Sequence, residues 1–140
     1  MMPDRAQYAE RMVVAMESFR RKWTQIMSAR PGYGLTPPQH FMLLLIREQG
    51  PCRVTALSER MEVKPSAITS MIDRMVAHQF VDRRPDEKDR RVVQIYLTEQ
   101  GKQVLAQLDA MRKRTMAQWF ESIDAGEAEQ FLAILEKLAK

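Results

Sequence analysis

Between Pro65 and Val76 the apolar residues Ile68, Met71, Ile72, Met75 and Val76 recur at i, i+3, i+4, i+7 and i+8, the spacing of one buried face of an α-helix. The other face is small and polar: Ser66, Thr69, Ser70, Asp73 and Arg74. Ahead of it, a tight Glu62-Val63-Lys64-Pro65 turn separates this helix from a shorter one, capped by Thr55, with Leu57 and Met61 turned inward. Two short helices joined that closely make a helix-turn-helix, which leaves few folds open to the chain.

After Phe80 the period changes. Val81–Pro85 and Val92–Leu97 read as two strands joined by a charged turn. Nine of the ten residues from Asp82 to Arg91 are charged, five basic and four acidic, with Pro85 the exception. Helix, helix, helix and hairpin in that order predict a winged helix-turn-helix, mainly α with a small antiparallel β-hairpin. A face of Ser66, Thr69 and Ser70 has nothing bulky to hold it out of a DNA major groove, and hydroxyls bond phosphates or base edges. The helix start itself favours a phosphate. Arg83, Arg84, Lys88, Arg90 and Arg91 lie on a hairpin slim enough for a minor groove, where narrow segments attract arginine. Asp86, Glu87 and Asp89 moderate that charge, and Asp89 can orient Arg91 through a charge-assisted hydrogen bond. The plainer reading is a solvated helix followed by a charged turn that blocks edge-to-edge aggregation.

Long helices flank this middle. From Asp4 to about Arg30, Tyr8, Met12, Met16, Phe19, Trp23, Ile26 and Met27 form an apolar stripe, and Pro31-Gly32-Tyr33-Gly34 breaks it. Thr36, Pro37 and Gln39 open the next helix with a capping-box pattern, and Gly50-Pro51 ends it. Thr98 caps a helix to about Ser122, striped by Val104, Leu108, Met111, Thr115 and Trp119. A last helix begins near Gly126 and carries Phe131, Leu132, Leu135 and Leu138. The first and last helices have more apolar surface than a 140-residue chain can cover, which marks an association surface. A two-fold dimer would present two recognition helices about one DNA turn apart, roughly 10 bp. The organisation expected is therefore a dimerisation helix (1–34), a winged helix-turn-helix core (35–98) and C-terminal dimerisation helices (99–140), in one compact α-rich unit. Net charge of +4 is only a mild pointer to an anionic partner, so placement of charge matters more than its amount.

Three segments, LTPPQHFMLLLI, VTALSERMEVKPSAITSMIDRM and DRRPDEKDRRVVQIYLTEQG, together resemble the MarR (multiple antibiotic resistance regulator) family. The hairpin is similar to that family's Asp-x-Arg-x-x-x-x-x-Leu-Thr signature at Asp89, Arg91, Leu97 and Thr98, with Gly101 following. The likeness runs from 35 to 101. It implies a homodimeric repressor, less often an activator, on a pseudo-palindromic duplex DNA operator. The helix from Pro65 to His78 would enter the major groove and Arg91, with Arg90 beside it, the minor groove. The DNA-contacting set expected is Pro65, Ser66, Thr69, Ser70, Arg74, Arg84, Lys88, Asp89, Arg90 and Arg91. The resemblance also implies a pocket for a small aromatic effector, which Trp23, Met27, His40 and Phe41 could line; plain core packing is the competing reading of those four.

Other functions find less support. Cys52 next to Arg53 raises the alternative of a redox-sensing repressor, against a buried inert thiol. A winged-helix adaptor that binds protein and no DNA is a further alternative. Two histidines leave little for a metal cage, and no P-loop, dinucleotide fingerprint or nucleophile motif is present, so neither an enzyme nor a cofactor is expected. A single cysteine suits a reducing compartment, and neither a signal-peptide core nor a membrane-spanning run is seen, so the cytoplasm is the expected location.

Overall fold

In the computed structural model, which describes residues 4–28 and 34–140, the order of elements is α1 (Arg5–Ser28), α2 (Pro37–Gln49), α3 (Val54–Met61), α4 (Pro65–Ala77), β1 (Val81–Pro85), β2 (Val93–Leu97), α5 (Glu99–Phe120) and α6 (Ala125–Leu138). This is the mostly helical chain with one antiparallel hairpin that the residue pattern predicts. The predicted break at Pro31-Gly32-Tyr33 and the end of the first helix at Arg30 lie outside the described residues. The chain divides into two units, Met1–Leu35 and Thr36–Lys140.

The first unit is α1. Asp4 starts it by accepting the amide of Ala6 at 3.0 Å. Its apolar residues Tyr8, Met12, Met16 and Phe19 are all exposed, while Trp23 and Ile26 are half-buried.

In the second unit most helix entries have a local cause. Thr36 accepts the Gln39 amide and the Gln39 side chain returns a bond to the Thr36 amide, so the predicted capping box holds. Gly50 closes α2 at φ +78°, the left-handed region that glycine enters without strain. Helix α3 departs from expectation. It begins at Val54 with Arg53 as N-cap and no side-chain cap, so Thr55 lies inside the first turn and cannot cap it. The reason lies one residue upstream: Cys52 pairs with Ile95 through two backbone hydrogen bonds of 3.2 and 2.8 Å. That pairing holds the chain extended through Cys52 and lets the helix turn at once after Arg53. Of the two residues expected to face inward, Leu57 is fully buried and Met61 half-buried.

One core joins these elements. It is built from Met42, Leu43, Leu45 and Ile46 of α2, Leu57 of α3, Ile68, Ile72 and Met75 of α4, Val81 and Ile95 of the hairpin, and Val104, Leu105, Leu108 and Met111 of α5. Each such side chain contributes about 1.5–3 kcal/mol on burial, which fixes α4 and the hairpin to a single scaffold. A junction at Thr98 locks the hairpin's root. Its hydroxyl accepts the Gly101 amide at 3.0 Å and donates to the Gln79 carbonyl at 2.6 Å, while its own amide donates to the Phe80 carbonyl at 3.1 Å. Helix α6 has a capping box of Asp124 and Glu127, yet buries no residue. Among the described residues no helix is long and apolar enough to cross a membrane.

Candidate nucleic-acid interface

Helix α4 turns Ile68, Ile72 and Met75 into the core and leaves Pro65, Ser66, Thr69, Ser70, Asp73 and Arg74 exposed, as the spacing requires. Pro65 occupies the first helical position, and the N-cap Lys64 makes no side-chain cap. Pro65 has no N–H and the Ala67 and Ile68 amides donate to the Lys64 carbonyl, so the Ser66 amide, the helix dipole and the Lys64 charge are what the helix start offers an anion. Thr69 donates its hydroxyl to the Pro65 carbonyl at 3.0 Å. That back-bond keeps the side chain close to the helix and the face low.

The hairpin pairs Val81 with Leu97, Arg83 with Ile95, and Pro85 with Val93. Val92, predicted as strand, belongs to the tip instead: its amide bonds the Asp89 carbonyl at 3.0 Å, and the strand starts at Val93. Two carboxylates organise that tip. Asp86 accepts the Lys88 amide at 2.7 Å and the Gln94 side chain at 2.6 Å. These bonds, the Lys88 amide above all, hold its carboxyl below the usual carboxylate range. Asp89 accepts the Arg91 guanidinium at 3.1 and 3.3 Å, and the Arg91 amide at 3.2 Å. The Arg91 side chain is the main reason the Asp89 carboxyl also lies low. The brace leaves Arg91 pointing into solvent, its side chain 91% exposed. Lys88 and Arg90 are exposed beside it.

The remaining hairpin arginines are engaged elsewhere. Arg84 bonds Asp82 at 3.3 Å and lies over the Tyr96 ring, 5.0 Å from its centroid, so it sits along the strand rather than at the tip. Arg83 is ion-paired with Asp73 of α4. The structure thus gathers Lys88, Asp89, Arg90 and Arg91 at the tip, and Pro65, Ser66, Thr69, Ser70 and Arg74 on one helix face. Residue pattern alone does not show the link between the two. Its only signal is parity, since Arg83 shares strand phase with buried Val81.

The residues considered for an effector fall in both units. Trp23 is on α1 in the first unit, and the side chain of Met27 lies outside the described residues. On α2, Phe41 is 46% exposed and His40 is half-buried, its Nε2 buried and without a hydrogen-bond partner among the described residues. Burial, helped by Arg112 and Arg47 and opposed by Asp109, holds the His40 imidazole below its ordinary pKa. Cys52 is buried, and burial pushes its thiol up, away from the thiolate that peroxide sensing needs.

Residues 35–93 match the MarR family. The HTH-type transcriptional repressor MdtR of Bacillus subtilis (strain 168) is 34% identical over 122 residues, 87% of this chain and 79% of that protein. Among solved structures, the YusO protein from Bacillus subtilis superposes with a TM-score of 0.82 at 31% identity, covering 98% of both chains. A MarR family protein from Bacillus stearothermophilus does so with a TM-score of 0.78 at 29% identity, covering 99% of this chain and 96% of that one.

Proposed function

The chain belongs to the MarR family of transcriptional regulators, and from that premise we propose that it is a homodimeric repressor of a pseudo-palindromic DNA operator. The observation that carries the reading is Arg91, held at the tip of a rigid hairpin by Asp89 and otherwise open to solvent. An arginine presented in that way has prepaid much of its side-chain ordering, and it faces a partner rather than the fold. The low hydroxyl face of α4, with its uncapped start beside Lys64, supplies the second contact. Helix α4 reads the major groove and the wing the adjacent minor groove, while phosphates receive Lys88 and Arg90.

Repression is inferred from the relative MdtR, whose name describes it as a repressor. Dimerisation rests on α1 and α6, whose apolar residues lie exposed in the single chain, and the segments 1–34 and 99–140 are the dimerisation helices in this reading. A small aromatic effector is a further part of this proposal, and on α2 the Nε2 of His40, buried and without a hydrogen-bond partner among the described residues, is the feature in favour of it.

The test is a gel-shift titration on duplexes enriched from random DNA by the wild-type protein. Arg91→Ala weakens binding by about 1–3 kcal/mol, and Ser66→Glu abolishes it with circular dichroism unchanged. Wild-type affinity in Arg91→Ala would remove the wing from the mechanism. Retained binding in Ser66→Glu would mean that another helix reads the DNA.

A further inference from the structure

Arg83 stands apart from the other cations of the wing. It is opposite Ile95, which is fully buried, and residues directly opposed across an antiparallel pair share a face of the sheet. Arg83 therefore leaves the strand on the core side, reaches α4 and closes an ion pair with Asp73. Asp73 in turn lies one helical turn from Thr69 and Ser70, on the exposed face of α4. Among the described residues this is the one side-chain ion pair that joins α4 to the hairpin.

Two physical consequences follow. A two-stranded hairpin is marginal by itself, so its angle to a neighbouring helix is set by what ties the two together. The root is fixed by buried Val81 and the Thr98 junction, and β2 is held at mid-length by buried Ile95 bonded to Cys52; Arg83, opposite Ile95, adds the side-chain tie from β1 to α4 itself. The pair also cancels a carboxylate that would otherwise face phosphates from the recognition helix. We infer that the Asp73–Arg83 pair is a positioning device that sets the spacing between recognition helix and wing, so that Arg83 acts on DNA through α4 and does not touch the duplex. This rests on the DNA-binding reading above and assigns Arg83 a role different from those of Arg90 and Arg91.

The experiment measures affinity for one wild-type-enriched duplex across a salt series, with Asp73→Asn, Arg83→Gln, their double variant and Asp73→Glu. Both single variants and the double weaken binding by a similar factor, roughly tenfold for a dimer that uses the pair twice, because breaking either partner breaks the same strut. The slope of log affinity against log salt stays at the wild-type value, since no phosphate contact is lost. Asp73→Glu keeps the pair and binds within about twofold of wild type.

Three results would overturn the assignment. Arg83→Gln could flatten the salt slope by about one unit per protomer, which would make Arg83 a phosphate contact. Asp73→Asn could bind more tightly, which would make Asp73 a mere repulsive charge. Asp73→Glu could be as weak as Asp73→Asn, which would show that the pair is not what matters. A wild-type protein that enriches no duplex fails differently: it overturns the DNA-binding reading itself.

Discussion

At Gly101 a single added carbon has nowhere to go. A Cβ built there comes within 2.2 Å of the Phe80 carbonyl oxygen, a backbone atom that already accepts the Thr98 amide. Gly101→Ala is expected to destabilise the chain by about 1–3 kcal/mol, seen as a lower urea midpoint, because helix and turn must move apart. A midpoint equal to wild type would contradict this account of the junction. The Leu97, Thr98 and Gly101 part of the family signature is thus explained by folding, and the Asp89 and Arg91 part by what the wing presents. His40 gives a second residue-scale expectation. Its folded pKa is depressed, so the unfolded chain takes up a proton near pH 6.5 that the folded chain resists. Stability therefore falls as pH drops below that value, and continues to fall until the folded pKa is passed. His40→Gln should flatten urea midpoints between pH 7 and pH 5. An unchanged pH slope would assign the effect to another group. Residue roles were legible where chemistry is local: Thr36 and Thr98 cap because their hydroxyls reach amides three residues on. They were illegible where two elements meet, as with Arg83, because its partner depends on how the hairpin lies against α4.

The elements were easier to read than their ends. Burial on one side forces a period, so the stripe of Ile68, Ile72 and Met75 announced α4, and alternation through Ile95 announced β2. Thr55 is a good capping type and points to a later start for α3, while the actual boundary is set by Cys52 bonding to Ile95, distant in sequence. The wing was recognised from charge density. What charge density does not convey is that its acids are structural: Asp86 ties the tip to Lys88 and Gln94, and Asp89 aims Arg91. An expectation follows for the wing as an element. Asp89→Ala removes a brace and a negative charge together, so affinity for the enriched duplex falls while affinity for unrelated DNA is kept or rises. The ratio of the two, taken from competition gel shifts, should drop. A ratio equal to wild type would mean that Arg91 needs no aiming.

For the whole molecule the decisive feature is apolar surface at both ends of the chain. Tyr8, Met12, Val13, Met16 and Phe19 on α1 are 44–63% exposed, and Phe131, Leu132, Ile134, Leu135 and Leu138 on α6 are 41–68% exposed. Helix α6 buries no residue, although it is well capped and Phe120 meets Phe131 at 6.3 Å. Helices gain most of their stability from a packed face, and in the dimer proposed above α1 and α6 gain theirs against a second copy. Under that proposal two-fold symmetry also turns the one α4 and one wing of each chain into a matched pair for two half-sites. Sedimentation equilibrium of the wild-type protein with an enriched duplex, combined with hydroxyl-radical footprinting of the same complex, tests this most directly. The account predicts two chains per duplex and two protected tracts related by symmetry, their centres roughly 10 bp apart. One chain per duplex with a single protected tract, or no stable complex at low salt, would contradict it.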